Sequence, residues 1–311
     1  MTIRVLVSVR SVAEAKLVAT GGAQFIDLKE PGQGALGGLP LAMIGSIVTA
    51  LRARHPGLVI SATIGDVPMV ALADILARVL AVAGCGVDLV KVGIETGPQA
   101  GAPAGQAQAG AVLDALAGCG HAVVPVFIAD HGIDAARWQQ ALALPLAGVM
   151  IDTADKHAGS LFEVMSSPDL AALLAQARLA GRLCGLAGAL RLPHLARLRA
   201  LAPDFAGFRS AVCDGHRSGA LVPARLAALV LALRGDAADA APAAHGQAHG
   251  QPNDQAHDQA NGQPNGQATD QATDQANDQA TAAPPGLLPA PWPPARPSPI
   301  SSDRIAARSA L

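Results

Sequence analysis

Lysine is nearly missing from this chain of 311 residues: of 22 basic side chains only Lys16, Lys29, Lys91 and Lys156 are lysine. Net charge is scarcely present either, at -2, which gives no reason to expect nucleic acid or an anionic membrane as partner. Uninterrupted apolar runs of the roughly 20 residues that cross a bilayer are absent, so no membrane partner is expected. The opening stretch from Met1 to Val9 is too brief, and too poor in small residues at its end, for a signal peptide. A cytoplasmic protein is therefore expected. Cys85, Cys119, Cys184 and Cys213 lack CxxC or zinc-ligand spacing, which excludes a disulfide framework, argues against a metal site and predicts mostly buried, small apolar side chains.

What is present divides sharply near Gly235. Residues 246 to 281 consist of Gly, Gln, Ala, Asn, Asp, Thr, His and Pro, with a near-tetrapeptide repeat around Gln267 to Asp278. Too few apolar side chains occur there to offset the ordering entropy, so disorder is expected. From Pro284 to Pro299 the chain is proline-rich and favours extended conformations. The stretch reads first as an unselected extension or flexible tail, with Trp292 as a docking element for a partner the alternative, and metal binding by His245, His249 and His257 is not expected. The chain thus reads as a folded domain over 1–235 and a low-complexity tail over 236–311.

Residues 1–235 alternate short apolar runs with alanine- and leucine-rich stretches. Strands are predicted at 3–9, 25–29, 59–64, 87–92, 122–128, 148–152, 183–187 and 205–209. Helices are predicted near 11–20, 41–54, 69–83, 107–118, 135–143, 168–180, 191–200 and 218–234. Eight β-then-α units fit a closed (β/α)8 barrel of the TIM type better than an open α/β sheet. An open doubly wound sheet would more often place a glycine-rich phosphate turn after the first strand, where Ser8-Val9-Arg10-Ser11 stands instead.

In such a barrel the active site gathers at the C-terminal ends of the strands. Polar residues predicted there are Asp27, Lys29, Asp66, Lys91, Asp130, Asp152, Lys156 and Arg209. Asp27 and Lys29 are two apart, so they share a face, with Asp27 one layer below. Asp88 and Lys91 are three apart and face opposite ways, which removes Asp88 from the site. Three of the four lysines fall at these strand ends, whereas Lys16 reads as an ordinary helix-surface residue. In a chain that otherwise uses arginine, the surviving lysines point to places where a guanidinium cannot substitute, and an amine that loses its proton to attack a carbonyl is one.

Such an amine must be neutral, yet at its reference pKa only about 0.04% is deprotonated at pH 7. Partial desolvation and a second ammonium nearby supply the required depression, and several lysines at one mouth would also attract anionic, phosphorylated substrates. Neighbouring aspartates suit proton transfer, so the set fits imine formation, enolisation and dehydration. Leu186-Ala187-Gly188-Ala189 and Gly207-Phe208-Arg209-Ser210-Ala211 end the last two strands, where barrels often hold phosphate. Gly188, Arg209 and Ser210 are the candidate phosphate ligands, with Arg209 expected to add a bidentate contact. The glycine-rich stretch from Pro31 to Gly38 is either a loop that closes over substrate or a plain long connection.

Several segments taken in order carry a family resemblance: Asp27-Leu28-Lys29-Glu30-Pro31, Ser61-Ala62-Thr63-Ile64-Gly65-Asp66-Val67-Pro68, Lys91-Val92-Gly93, Met150-Ile151-Asp152-Thr153-Ala154 with Lys156, Gly159-Ser160-Leu161-Phe162, and the two glycine loops above. Together they resemble the (5-formylfuran-3-yl)methyl phosphate synthase family. The resemblance covers 1 to about 235; the tail has no counterpart, and Gly97 to Gly110 departs from the family's regular helical entry. It implies a lyase, needing no cofactor, that joins two molecules of glyceraldehyde 3-phosphate with loss of phosphate and water, for biosynthesis of methanofuran-type cofactors. It also implies that Lys29 is the Schiff-base lysine and Lys91 the proton acceptor, with Asp27, Asp152 and Lys156 assisting proton transfer and holding phosphate. Physics alone does not rank Lys29 over Lys156. A class I aldolase acting on another phosphorylated triose or sugar is the alternative enzyme, a barrel kept as a scaffold is the alternative outside catalysis, and a homo-oligomer is left open.

Overall fold

The computed structural model describes residues 3–34, 36–96, 102–155 and 159–234. Lys156 and the expectations for the tail lie outside these residues. Eight parallel strands close into a barrel in sequence order, each bonded to its neighbours and β1 to β8. They are β1 (Arg4–Val9), β2 (Phe25–Leu28), β3 (Val59–Thr63), β4 (Leu89–Ile94), β5 (Val123–Ile128), β6 (Val149–Asp152), β7 (Cys184–Leu186) and β8 (Phe205–Phe208). The helices are α1 (Val12–Thr20), α2 (Leu41–Arg52), α3 (Leu72–Ala83), α4 (Ala102–Gly118), α5 (Ala135–Ala143), α6 (Leu161–Val164), α7 (Ser167–Leu179), α8 (Leu195–Leu201) and α9 (Pro223–Arg234). This is the TIM barrel expected from the alternation of elements.

The strands are buried on both faces, and the two faces carry different residues. Val5, Val7, Val9, Ile26, Leu28, Ile60, Val90, Val92 and Ile151 point outward and form one continuous core with the helices. The alternate residues point inward, where Leu6, Phe25, Leu89, Val124, Val126, Met150 and Phe205 fill the lower barrel as a second cluster. Phe25 and Phe205 stack there with centroids 5.3 Å apart. Gly185 on β7 makes that stack possible, since a Cβ would lie 2.0 Å from the Phe205 ring. One step higher the inward positions become Ser8, Asp27, Ser61, Lys91 and Asp152, all buried. A barrel interior is a packed core rather than a pore, so this switch from apolar to polar layers marks where packing yields to chemistry.

Of the differences from expectation, three have a clear local cause. β4 begins at Leu89 rather than residue 87 because Asp88 is engaged at the opposite end of the barrel, its amide donating to the Ile60 carbonyl and its carboxylate bonding Ile60 N and Arg52. That confirms the exclusion of Asp88 from the mouth. Helix α4 starts at Ala102, before the expected 107; Pro103 falls in its first turn, where a missing N–H costs no hydrogen bond. The short α6 was not expected at all. Ser160 caps it and the Glu163 carboxylate reaches back to the Ser160 amide, a capping box written in sequence as Ser160-Leu161-Phe162-Glu163. Among the cysteines, Cys184 and Cys213 are buried while Cys85 and Cys119 are half-buried. Among the described residues no helix is long and apolar enough to cross a membrane.

Candidate active site

Strand register places the polar layer. Ser8, Asp27 and Ser61 are direct cross-strand partners on β1, β2 and β3, so the Asp27 carboxylate lies between two inward hydroxyls at its own level. Ser61 donates to Asp27 Oδ1 at 2.7 Å and Ser8 to Oδ2 at 3.2 Å. Two residues beyond Leu89, on the same face of β4, Lys91 brings its ammonium to 2.6 Å from Asp27 Oδ1. Lys29, at the end of β2, lies above this layer, 3.6 Å from Asp152 Oδ2 at the end of β6. The other Asp152 oxygen accepts the Thr153 amide at 2.8 Å, which fixes that carboxylate.

One cavity at this end of the barrel collects Asp27, Lys29, Lys91, Asp152, Gly188, Arg209 and Ser210. The expected catalytic and phosphate-binding residues among the described ones therefore line the same space, whereas Asp66 and Asp130 do not. Burial pulls the Lys91 pKa down from the ordinary lysine value; the Asp27 carboxylate opposes that shift, and the Lys29 charge reinforces it. Direct contact with Asp27 at 2.6 Å favours the ammonium, but desolvation is the larger effect and the direction is downward. Asp152 adds to the opposition, and the Met150 sulfur, a weak acceptor, lies 3.9 Å away. Lys91 is thus the buried ammonium of the site whose pKa burial lowers despite its carboxylate partner.

Arg209 differs from expectation. Its Nε donates to the Arg217 carbonyl, Nη1 to the Ser8 carbonyl and Glu14 Oε2, and Nη2 to Glu14 Oε1 and the Gly219 carbonyl. A guanidinium has five N–H donors, and all are taken. Arg209 lines the cavity but has no donor to offer a phosphate without breaking its pair with Glu14. Asp66 and Asp130 also serve loops: Asp66 accepts the Leu36 amide, and Asp130 accepts the Ala154 and Asp155 amides.

The loop after β2 lies over part of the mouth. Leu36 is buried against the inner cluster, and Gly93 leaves it room, since a Cβ there would be 2.8 Å from Leu36. Thr63 Oγ1 and Glu30 N both donate to the Gly37 carbonyl, and Arg217 Nη2 donates to the Gly34 carbonyl at 3.2 Å. Arg217 also lines the cavity; sequence reasoning missed it because it sits in a loop, outside any motif. Ser8 and Ser61 were missed as orienting groups, although a serine in the upper half of an otherwise apolar strand was a visible signal.

Residues 5–230 match the 4-HFC-P synthase family. The chain is 36% identical over 240 residues to a Methylorubrum extorquens protein provisionally named (5-formylfuran-3-yl)methyl phosphate synthase, covering 76% of this chain and 95% of that one. It is 35% identical over 247 residues to the (5-formylfuran-3-yl)methyl phosphate synthase of Archaeoglobus fulgidus, covering 75% of this chain and all of that one. Among solved structures, phosphoribosyl anthranilate isomerase from Thermus thermophilus superposes with a TM-score of 0.51 at 18% identity, over 74% of this chain and 98% of that one. That likeness concerns the barrel fold alone.

Proposed function

Because the chain belongs to the 4-HFC-P synthase family, we propose that it condenses two molecules of glyceraldehyde 3-phosphate into (5-formylfuran-3-yl)methyl phosphate, as a cytoplasmic lyase of methanofuran-type cofactor biosynthesis. Two trioses balance as one furan product, one inorganic phosphate and two waters. The observation that best supports this reading is the pair of buried lysines in one cavity, Lys91 against Asp27 at 2.6 Å and Lys29 facing Asp152 at 3.6 Å.

Lys29, nearer the mouth, adds through Nζ to the carbonyl of one triose and loses water to form an imine. Asp152 takes and returns the protons that this addition and dehydration require. The protonated imine acidifies the adjacent carbon, and Lys91, with its pKa lowered by burial, accepts that proton. The resulting enamine carbon bonds to the second triose as one phosphate leaves; ring closure through a hydroxyl of the second triose onto the imine carbon, followed by loss of a second water, displaces the Lys29 amine and leaves the furan. Asp27, held by Ser8 and Ser61, keeps the Lys91 amine in place and stabilises the ammonium formed when it accepts the proton.

The test is incubation of purified protein with D-glyceraldehyde 3-phosphate, following phosphate release and furan-aldehyde absorbance, with borohydride trapping and peptide mapping in parallel. A furan product with the adduct on Lys29 is expected. An adduct on Lys156 would reassign the nucleophile, and condensation that conserves both phosphates would make this an aldolase instead.

A further inference from the structure

If Arg209 cannot meet a phosphate, a different cation has to, and the geometry points to Arg217 as the phosphate anchor of the cavity. This inference rests on the reading of the substrate as a triose phosphate. Arg217 is half-buried and lines the same space as Lys29, Gly188, Ala189 and Ser210. Its hydrogen bond among the described residues uses one Nη2 donor, on the Gly34 carbonyl. Most of its fork therefore remains available, in contrast to the fully committed fork of Arg209.

The backbone that presents Arg217 is clamped from below. The carbonyls of Arg217 and Gly219 are held by Arg209, and the Ser218 carbonyl between them by Arg10 Nη2 at 2.8 Å. The Gly219 amide closes a turn onto the His216 carbonyl. Three successive carbonyls tied to two guanidiniums make a rigid mount, so Arg209 acts as a positioning residue for Arg217. In the same cavity, Gly188 and Ala189 both have positive φ, 112° and 45°. An alanine in the left-handed region costs strain that only a defined backbone path justifies. Gly188 is closed against Thr153, whose Oγ1 would lie 2.9 Å from an added Cβ. The β7 loop thus lines with a tight backbone path the same cavity that Arg217 lines with its cation, a combination that suits a phosphate held by planar, bidentate recognition.

Wild-type protein, Arg217→Ala and Arg217→Lys would be compared in two assays. One is equilibrium binding of inorganic phosphate. The other is the aldehyde concentration giving half-maximal borohydride trapping, with D-glyceraldehyde 3-phosphate and with D-glyceraldehyde. Arg217→Ala is expected to weaken phosphate binding and triose phosphate trapping by about 10- to 100-fold while leaving D-glyceraldehyde trapping unchanged, and Arg217→Lys to recover part of the loss. An equal loss for both aldehydes would reduce Arg217 to a strut of the Gly34 loop, and unchanged phosphate binding in Arg217→Ala would overturn the assignment outright. Wild-type protein that traps neither aldehyde but binds phosphate through Arg217 would sink the imine reading and leave this one standing.

Discussion

Lys91 against Asp27 and Arg209 against Glu14 are both ion pairs with a buried cation, each with a closest N···O distance of 2.6 Å, yet they are built differently. The arginine spends five donors on two carboxylate oxygens and three carbonyls. Its charge is permanent and its position over-determined. The lysine has one strong acceptor and a thioether sulfur, and burial draws its pKa down against the pull of Asp27. On the proposed mechanism, the buried lysine stands where a proton has to leave and the arginine where a charge has to stay. The arginine pair joins β8 to α1 and carries the loop of Arg217; the lysine pair sits where the reacting atoms would be.

The largest effect is expected at Lys29. Lys29→Arg keeps a cation at the mouth but removes a nucleophilic amine, so turnover should fall by on the order of a thousandfold or more and the borohydride adduct should vanish. Lys16→Arg, on the exposed face of α1, should behave as wild type in both assays. A Lys29→Arg protein that still forms an adduct would transfer the nucleophile to another lysine.

Next comes Lys91→Met, expected to lower the rate by about 10²- to 10⁴-fold, the range for loss of a positioned acid–base group, while trapping at Lys29 survives. The two lysines are thereby separated by assay rather than by size of effect. Stability gives a second readout with a definite sign. With its folded pKa depressed below the ordinary value of 10.5, Lys91 binds fewer protons folded than unfolded between those two values. Wild-type stability should therefore gain on that of Lys91→Met as pH rises through this window, and lose the gain as pH falls through the folded pKa. Urea melts of both proteins from pH 7 to 10 measure it.

Arg209→Met should act on the other pair and in the other currency. Removing one partner of a buried pair typically costs about 3–5 kcal/mol; here three carbonyls lose their Arg209 donors, and Glu14 is left with Arg10 as its partner. For a domain of this size that corresponds to a Tm lower by roughly 6–20 °C. Trapping at Lys29 with D-glyceraldehyde should persist below the melting range, whereas trapping with the triose phosphate should weaken through Arg217. A stable Arg209→Met protein that has lost trapping of both aldehydes would place Arg209 in the chemistry after all.

The contrast between the pairs also explains what could be read from sequence. Charged residues inside otherwise apolar strands stand out, because burial makes them costly unless they are used, so Asp27, Lys29, Lys91 and Asp152 were legible one strand at a time. The outward rows such as Val5, Val7 and Val9 made the strands legible by the same local pattern. Arg209 was visible too, but its use was not. Its saturation depends on Glu14, 195 positions away, on Ser8, which closure of β8 onto β1 brings to it, and on the fold of its own loop back to Gly219. Arg217 carries no periodic signal, and only the carbonyls clamped beneath it show that its loop is a mount.

The smallest change, Asp27→Asn, tests whether the lysine pair is held by charge or by shape. Asparagine fits between Ser8 and Ser61, since its carbonyl accepts from one hydroxyl and its amide donates to the other, so the fold should be little affected. What disappears is the negative charge that holds the Lys91 pKa up. With the attraction gone and the burial unchanged, that pKa falls further. If Lys91 is the proton acceptor, the rising limb of the pH–rate profile moves to lower pH, and the rate above it drops by less than in Lys91→Met because a weaker base still accepts the proton. A limb that stays in place in Asp27→Asn, measured as kcat over pH 5 to 9, would mean that another group controls the proton and that the Lys91–Asp27 pair is as structural as the arginine pair.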